Sequence, residues 1–235
     1  MQPEAIRELF DQQAAGYDRQ WEKTAPIRQC LHFLLESAFA GLPEQARVLC
    51  VGVGTGVEMA HLARRFPGWR FMAVDPSPAM LDVCRRRAQE EGFADRCGFH
   101  AGYVDALPEG ALYDAATCFL VSQFITDTDA RAAFFGQIAR RLLPGGRLAS
   151  SDLAADTASP EYAVLLRDWM TMMSGADVPA EALERIRRAY DQDVGVLPPA
   201  QVEAILRAGG FGLPVRFFQA GLIHAWISRK GDGGN

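Results

Sequence analysis

The stretch Val51-Gly52-Val53-Gly54-Thr55-Gly56 constrains this chain more than any other. It joins an unbroken apolar run, residues 47–53, to a helical pattern over 57–66. An apolar run of that kind is a strand buried on both faces, which requires a parallel sheet covered by helices on either side. Glycine permits positive φ and lets another group approach the backbone closely. A glycine loop between strand and helix therefore sits at the carboxyl edge of the sheet, where a helix N-terminus and free amides receive a ligand. The spacing is GxGxG. The dinucleotide fingerprint is GxGxxG, and its third position falls here on Val57. Asp75, at the end of the next apolar run, suits pairing with ribose hydroxyls.

The same alternation continues along the chain. Strands are expected at 69–75, 97–101, 113–121 and 146–153. Helices are expected at 78–91, capped by Ser77 and ended near Gly92, and at 129–142, ended by Pro144-Gly145. Two further helices, 3–14 and 25–39, precede the first strand. After residue 153 the rhythm breaks into helical stretches over 158–193, then a helix over 198–208. Residues 214–220 and 222–229 read as strands joined at Gly221, close enough for an antiparallel hairpin. The expected fold is α/β: a seven-stranded, mainly parallel sheet with a C-terminal antiparallel hairpin and a helical insertion. A single domain spans 1–235, with 1–40 as an N-terminal helical cover and 155–195 as a helical lid. The glycine-rich tail, 230–235, is expected to fray.

Composition narrows the function. The net charge is −5, which argues against stable, sequence-independent nucleic-acid binding. The runs Arg64-Arg65, Arg85-Arg86-Arg87 and Arg187-Arg188 read as solvated helix faces. Five cysteines, none in a CxxC pair, point away from zinc and from a disulfide framework. Cys50 and Cys118 lie in apolar runs and read as small buried hydrophobes. His61 and His100 do not cluster with carboxylates in sequence, so no metal is assigned. The N-terminus lacks the charge and hydropathy order of a signal peptide, and no run is long enough to span a membrane. The expectation is a cytoplasmic monomer or homodimer.

These motifs resemble those of the class I S-adenosylmethionine-dependent methyltransferases of the small-molecule type, over roughly residues 10–153 and more loosely in the hairpin. The first family motif matches residues 48–56, and the second matches Val74-Asp75-Pro76-Ser77-Pro78-Ala79-Met80-Leu81. The resemblance implies a Rossmann-like fold and S-adenosylmethionine as cofactor, with S-adenosylhomocysteine as product. It implies that Gly52, Val53, Gly54, Thr55 and Gly56 cradle the amino-acid end of the cofactor. Asp75 would bind both ribose hydroxyls, with Pro76 beside it and Met80 against the adenine. Phe10-Asp11…Tyr17-Asp18 resembles a segment that folds over the cofactor, placing Tyr17 near its methionine moiety. Leu142-Leu143-Pro144-Gly145-Gly146 resembles the family's turn into its fifth strand. The family often has Gly-Asp and then Leu-Pro after the third strand. Here Gly102-Tyr103-Val104-Asp105-Ala106-Leu107-Pro108 puts Tyr103 at the acidic position, and Asp105 or backbone near Val104 is expected to replace it.

A cofactor that carries an activated methyl leaves the protein to align the acceptor in line and exclude water. Residues just past the fourth strand should face the methyl: Phe119, Leu120, Ser122, Gln123 and Phe124. Among them Gln123 is the candidate to orient a substrate, although Ser122 and Gln123 equally suit a capped turn. Leu165, Leu166, Trp169, Met170 and Met173 recur at helical spacing. Trp169 and Met173 are substrate candidates in the lid, although such a stripe is more often core or dimer contact. His224 reads as a core histidine rather than a base, and no catalytic residue is assigned. The function expected is methyl transfer to a small-molecule acceptor by in-line displacement. The alternatives are methylation of tRNA or protein, a nicotinamide-dependent oxidoreductase, and a non-catalytic cofactor-binding regulator.

Overall fold

The computed structural model describes residues 2–174 and 179–231; at 182, 183, 186, 189, 191 and 192 only the backbone is described. Three helices lead in: α1 (Pro3–Gln13), α2 (Tyr17–Gln20) and α3 (Ala25–Phe39). Then β1 (Arg47–Val51), α4 (Val57–Arg65), β2 (Arg70–Asp75), α5 (Pro78–Glu90) and β3 (Cys97–Ala101) alternate. They are followed by β4 (Tyr113–Phe119), α6 (Thr128–Arg141) and β5 (Leu142–Leu153). The chain continues through α7 (Pro160–Ser174), α8 (Ala180–Asp193) and α9 (Pro199–Ala208) to β6 (Val215–Ala220) and β7 (Ile223–Arg229).

The strands form one seven-stranded sheet in the order β3-β2-β1-β4-β5-β7-β6. β1 to β5 run parallel, and β7 is antiparallel to both β5 and β6. This is the expected architecture, with boundaries moved for identifiable reasons. The first strand stops at Val51 because Gly52 turns to φ 63°. The fourth stops at Phe119 because Leu120 takes φ 57°. The fifth begins earlier, at Leu142, which pairs with Tyr113 before a register shift absorbs Pro144-Gly145. Ser77 caps α5 as expected, its hydroxyl accepting from the Met80 amide at 3.1 Å.

Alternating strand residues serve two cores, because successive side chains point to opposite faces. Val48 and Cys50 of β1 pack with Leu35, Phe39, Met59, Leu62 and Trp69 under α3, α4 and α5. Leu49 and Val51 pack with Phe135, Ile138, Leu206 and Trp226 under α6 and α9. Each fully buried side chain of this size contributes about 1.5–3 kcal/mol, so both faces of the central strands are firmly held.

A third cluster belongs to the insertion. Tyr162, Leu166 and Trp169 of α7 pack on Leu31 of α3 and on Phe218, Leu222 and Ile223 of the hairpin. The buried stripe is therefore 162/166/169, while Leu165, Met170 and Met173 are only half-buried. Trp169 donates to the Tyr190 hydroxyl at 3.2 Å, joining α7 to α8. The ends of the insertion are tied together: Ala154 bridges Leu197, and the Ala155 amide donates to Leu197 O at 3.0 Å. Among the described residues no helix is long and apolar enough to cross a membrane. Most of the tail expected to fray lies outside the described residues.

Candidate active site

The three loop glycines all have positive φ, yet they are glycine for different reasons. A Cβ on Gly52 would lie 2.3 Å from Val121 Cγ2, and one on Gly56 would lie 2.5 Å from Cys84 Sγ. A Cβ on Gly54 would meet nothing within 4 Å. Gly52 and Gly56 are thus packing glycines, and Gly54 opens onto free space at the N-terminal end of α4. That opening is a cradle a side chain would fill.

Asp75, at the carboxyl end of β2, closes the cradle from the neighbouring strand. Its Oδ2 accepts from the Gly54 amide at 2.8 Å, and its Oδ1 accepts from the Ser77 amide at 2.9 Å. Burial pushes its pKa up to about 6, against the two backbone bonds that favour the ionised form. Glu58, on the first turn of α4, is pushed up to about 7 by burial and by Asp75. Tyr17 is pushed up to about 12 by burial, then by Asp75 and Asp18. Acidic groups crowd this edge with few positive charges near them. A ligand that brings hydroxyl donors and positive charge relieves the cost, and the residues present fit such a ligand.

The N-terminal segment lies over this loop and is bonded to it. Asp18 Oδ1 accepts from Thr55 Oγ1 at 2.7 Å, and the other Asp18 oxygen pairs with Arg87. Arg87 Nε in turn donates to Thr55 O at 2.9 Å. Asp11 Oδ1 accepts from Ser77 Oγ at 2.5 Å and from the Ala79 amide at 3.3 Å. Phe10 sits edge-on to Phe124, with ring centroids 5.6 Å apart. The bonds of Asp11, Asp18 and Arg87 were not foreseen. The only signal was the position of the two aspartates, one beside Phe10 and one beside Tyr17.

Other expected residues are distributed as follows. Val53 and Thr55 are buried, and Pro76 is half-buried between Asp75 and Ser77. Met80 is buried on the first turn of α5. Val104 packs into the α6–α9 core, whereas Asp105 and Tyr103 are exposed. Phe119 ends β4 at the same sheet edge, and Leu120 follows at positive φ, a conformation that costs a branched side chain about 1–3 kcal/mol and clusters at functional sites.

Gln123 lies in the turn that follows β4. It is buried, and its Oε1 accepts from the Leu153 amide at 2.8 Å. Its carbonyl accepts from the Gly195 amide at 2.7 Å. Both bonds tie the turn after β4 to the two ends of the insertion. Its neighbour Ser122 joins a buried network that sequence did not reveal. Ser122 Oγ donates to Asp152 at 2.8 Å, Arg131 Nε donates to Ser122 Oγ at 2.9 Å, and Arg131 Nη2 lies 2.9 Å from Asp152 Oδ1. Arg131 Nη1 donates to Gly195 O at 2.9 Å, at the far end of the insertion. Trp169 is core to the third cluster, and Met173 lies half-buried at its edge.

His224 is buried with Nδ1 3.2 Å from Leu222 O, as a core histidine. His61, separated in sequence from any carboxylate partner, has its Nε2 2.9 Å from Glu36 Oε1. His32, a polar residue at a core-facing position of α3, stacks on Phe119 with ring centroids 6.5 Å apart.

Residues 48–146 match the family described as a methyltransferase domain. A ubiquinone biosynthesis O-methyltransferase from Xanthomonas axonopodis pv. citri is 30% identical over 211 residues, 87% of this chain and 80% of that protein. A demethylmenaquinone methyltransferase from Deinococcus radiodurans is 26% identical over 218 residues, 92% of this chain and 83% of that protein. Among solved structures, an O-methyltransferase family protein from Burkholderia thailandensis superposes with a TM-score of 0.65 at 16% identity. The alignment covers 97% of this chain and 60% of that one, so the structure speaks for the fold alone. The seven-stranded sheet, the GxGxG loop and these relatives agree, and the chain belongs to the class I S-adenosylmethionine-dependent methyltransferases.

Proposed function

We propose that the protein methylates a hydroxyl of a small molecule, with S-adenosylmethionine held along the edge from Gly54 to Asp75. The observation that carries this reading is the Gly54–Asp75 unit: an open cradle beside a buried carboxylate already aligned by two amides. Asp75 accepts from the ribose hydroxyls, Met80 and Pro76 pack at the adenine, and Val104 or Asp105 reads its edge. Thr55, with Gly52, Val53 and Gly56, shapes the turn at the methionine end, and Tyr17 covers it. When bound, S-adenosylmethionine supplies a methyl already activated by a sulfonium. The protein's part is to hold an acceptor oxygen roughly 3–3.5 Å away, in line, and dry.

Phe119 and Leu120 form the floor of the acceptor side. Residues 1–40 act as a cover over the cofactor, and residues 155–195 as a wall whose half-buried Met170 and Met173 face the acceptor, with Trp169 bracing them from behind. Aromatic and methionine surface suits an apolar acceptor. The relatives' printed names, two of them quinone-pathway enzymes, support a small organic substrate. Calorimetry with S-adenosylmethionine and S-adenosylhomocysteine tests the first half, with micromolar binding of both expected. Labelled-methyl incorporation into small-molecule extracts, read by mass spectrometry, tests the second. No heat and no thermal shift with either ligand overturns the reading.

A further inference from the structure

Parallel strands are usually joined through a helix, but residues 102–112, between β3 and β4, form none. The sheet face that α6 and α9 cover therefore lacks a helix over β2 and β3. On that face a cavity of about 490 Å³ opens at the amino ends of the strands, the edge opposite Gly54 and Asp75. β1 begins with Arg47, β2 with Arg70 and β4 with Tyr113, and Arg96 directly precedes β3. All four line the cavity, with Met72 and Gly98 beside them. Arg47 and Arg70 are register partners, so their side chains leave the sheet side by side. Like charges directly opposite one another destabilise a sheet, yet neither arginine has a carboxylate partner among the described residues. The Arg47 guanidinium lies over the Tyr113 ring, 5.1 Å from its centroid, which orients the charge without neutralising it. Asp114 accepts from the Arg47 amide at 2.8 Å and not from its guanidinium. Arg96 donates to the carbonyls of Ala63 and Trp69 at 3.0 Å and of Phe66 at 3.3 Å, all uncharged acceptors. Asp95 also lines the cavity, but it is exposed and forms no ion pair with the three arginines. In a chain of net charge −5, a cleft lined by three such cations runs against the composition, and a cleft of one sign concentrates counter-ions.

We propose that this cavity binds the phosphate group of a small organic molecule, at a site separate from the cofactor edge. Arg47 and Arg70 hold the phosphate oxygens, because a guanidinium presents a planar fork of donors that matches them. The bound phosphate cancels the repulsion that pairing of β1 with β2 forces on the two side chains. Arg96, fixed by its three carbonyls, adds positive charge without having to move. The cavity is larger than a phosphate alone requires and falls in the size range of small-molecule sites. Met72 and Gly98 offer an apolar surface for the carbon skeleton. A Cβ on Gly98 would lie 2.6 Å from Met72 Cε, so the glycine lets Met72 lie across β3. The five residues of β1, at about 3.3 Å each, put the glycine loop roughly 15 Å away. The site therefore needs neither cofactor nor acceptor, and it does not rest on the methyl-transfer reading above.

The test uses the full chain, with inorganic phosphate and glycerol 3-phosphate as probes and chloride at matched ionic strength as control. Calorimetry should show both probes binding to wild type, the ester more tightly. The melting temperature should rise with the ester and not with chloride. Arg47→Gln and Arg70→Gln each remove one charge that holds the phosphate, so ester affinity should fall about tenfold or more in each. S-adenosylhomocysteine affinity should stay at the wild-type value in both. In chloride, Arg70→Gln should melt at or above the wild-type temperature, because a repulsion is relieved. Arg85→Gln, which loses an exposed arginine paired with Asp82 on α5, controls for net charge and should bind the ester as wild type does. Equal stabilisation by chloride, unchanged ester affinity in both cavity variants, or the same loss in Arg85→Gln overturns the proposal. So does a lowered melting temperature of Arg70→Gln in chloride, which makes that arginine structural. A second arm uses vesicles of phosphatidylglycerol in phosphatidylcholine. Vesicle binding that both cavity variants lose, with no binding of the free ester, makes the cavity a membrane contact and defeats the small-molecule site.

Discussion

The two halves of the catalytic edge are built from different materials. On the cofactor half, around β1, α4 and β2, the important groups are backbone amides, three glycines and one carboxylate that bonds two of those amides. On the half proposed to take the acceptor, around α7, α8 and the hairpin, the important groups are side chains packed on one another. Backbone geometry of this kind depends on the glycines and on few other side chains. Side-chain packing, by contrast, depends on the identity of each residue. A ledge of polar staples separates them: Gln123, Ser122, Arg131 and Asp152 hold the ends of the insertion without touching the glycine loop.

If that division is correct, damage to one half should leave the other working. The largest effect is expected from Gly54→Val. Its side chain enters the open cradle, so binding of S-adenosylhomocysteine should be lost, while positive φ lowers stability by only about 1–2 kcal/mol. Calorimetry beside a melting curve checks both, and retained affinity would show that no ligand approaches this loop. Next comes Arg131→Met, which strands the buried Asp152 carboxylate and removes the Gly195 tie. Breaking a buried pair from one side costs about 3–5 kcal/mol, to be read by denaturant unfolding. Cofactor affinity of the folded fraction should remain, and its loss would mean that the halves are coupled.

Trp169→Ala sharpens the same comparison. Removing a buried tryptophan costs about 3 kcal/mol or more, with the damage confined to the insertion and hairpin. Acceptor turnover per folded molecule should fall as the wall loosens, while cofactor affinity holds. Lowered stability with normal turnover would make residues 155–195 a structural brace rather than a wall of the site.

A smaller effect is expected from pH. Burial raises the Asp75 pKa to about 6, so its carboxylate is protonated below that value in the free protein. For folding, the stability linked to this raised pKa is present in acid and is lost as pH rises through 6. For binding the sign reverses, because ribose hydroxyls donate to the ionised form. Affinity should be full above pH 7 and about tenfold weaker at pH 5. Asp75→Ala should weaken binding by about 1.5–3 kcal/mol and flatten this dependence. Calorimetry across pH on both proteins decides it, and an unchanged slope in the variant assigns the titration to another group. The smallest effect is expected for Asp18→Asn. The pair with Arg87 is partly exposed, and such pairs contribute about 0.5–1 kcal/mol. Faster cofactor exchange in stopped-flow, with nearly the same affinity, would be the signature of a loosened cover.

The amino-acid sequence by itself determined the sheet, its mainly parallel order, the hairpin, and the loop with Asp75. These follow from local rules: apolar runs that need two covered faces, glycines that must turn, and a serine that caps a helix. Tertiary structure decided everything that depends on partners far apart in sequence. That Gln123, after β4, accepts from the Leu153 amide shows only once β5 lies beside β4. Trp169 is buried by Leu31 and Phe218, residues far away in the chain. Arg131 and Asp152, unremarkable in a helix and a strand, meet only because α6 packs over the end of β5. Arg47 and Arg70 become neighbours only when β1 pairs with β2. Local pattern encodes which backbone groups turn toward the ligand, because glycine and strand periodicity act over a few residues. Which side chains meet is set by long-range packing, and no local window holds both partners.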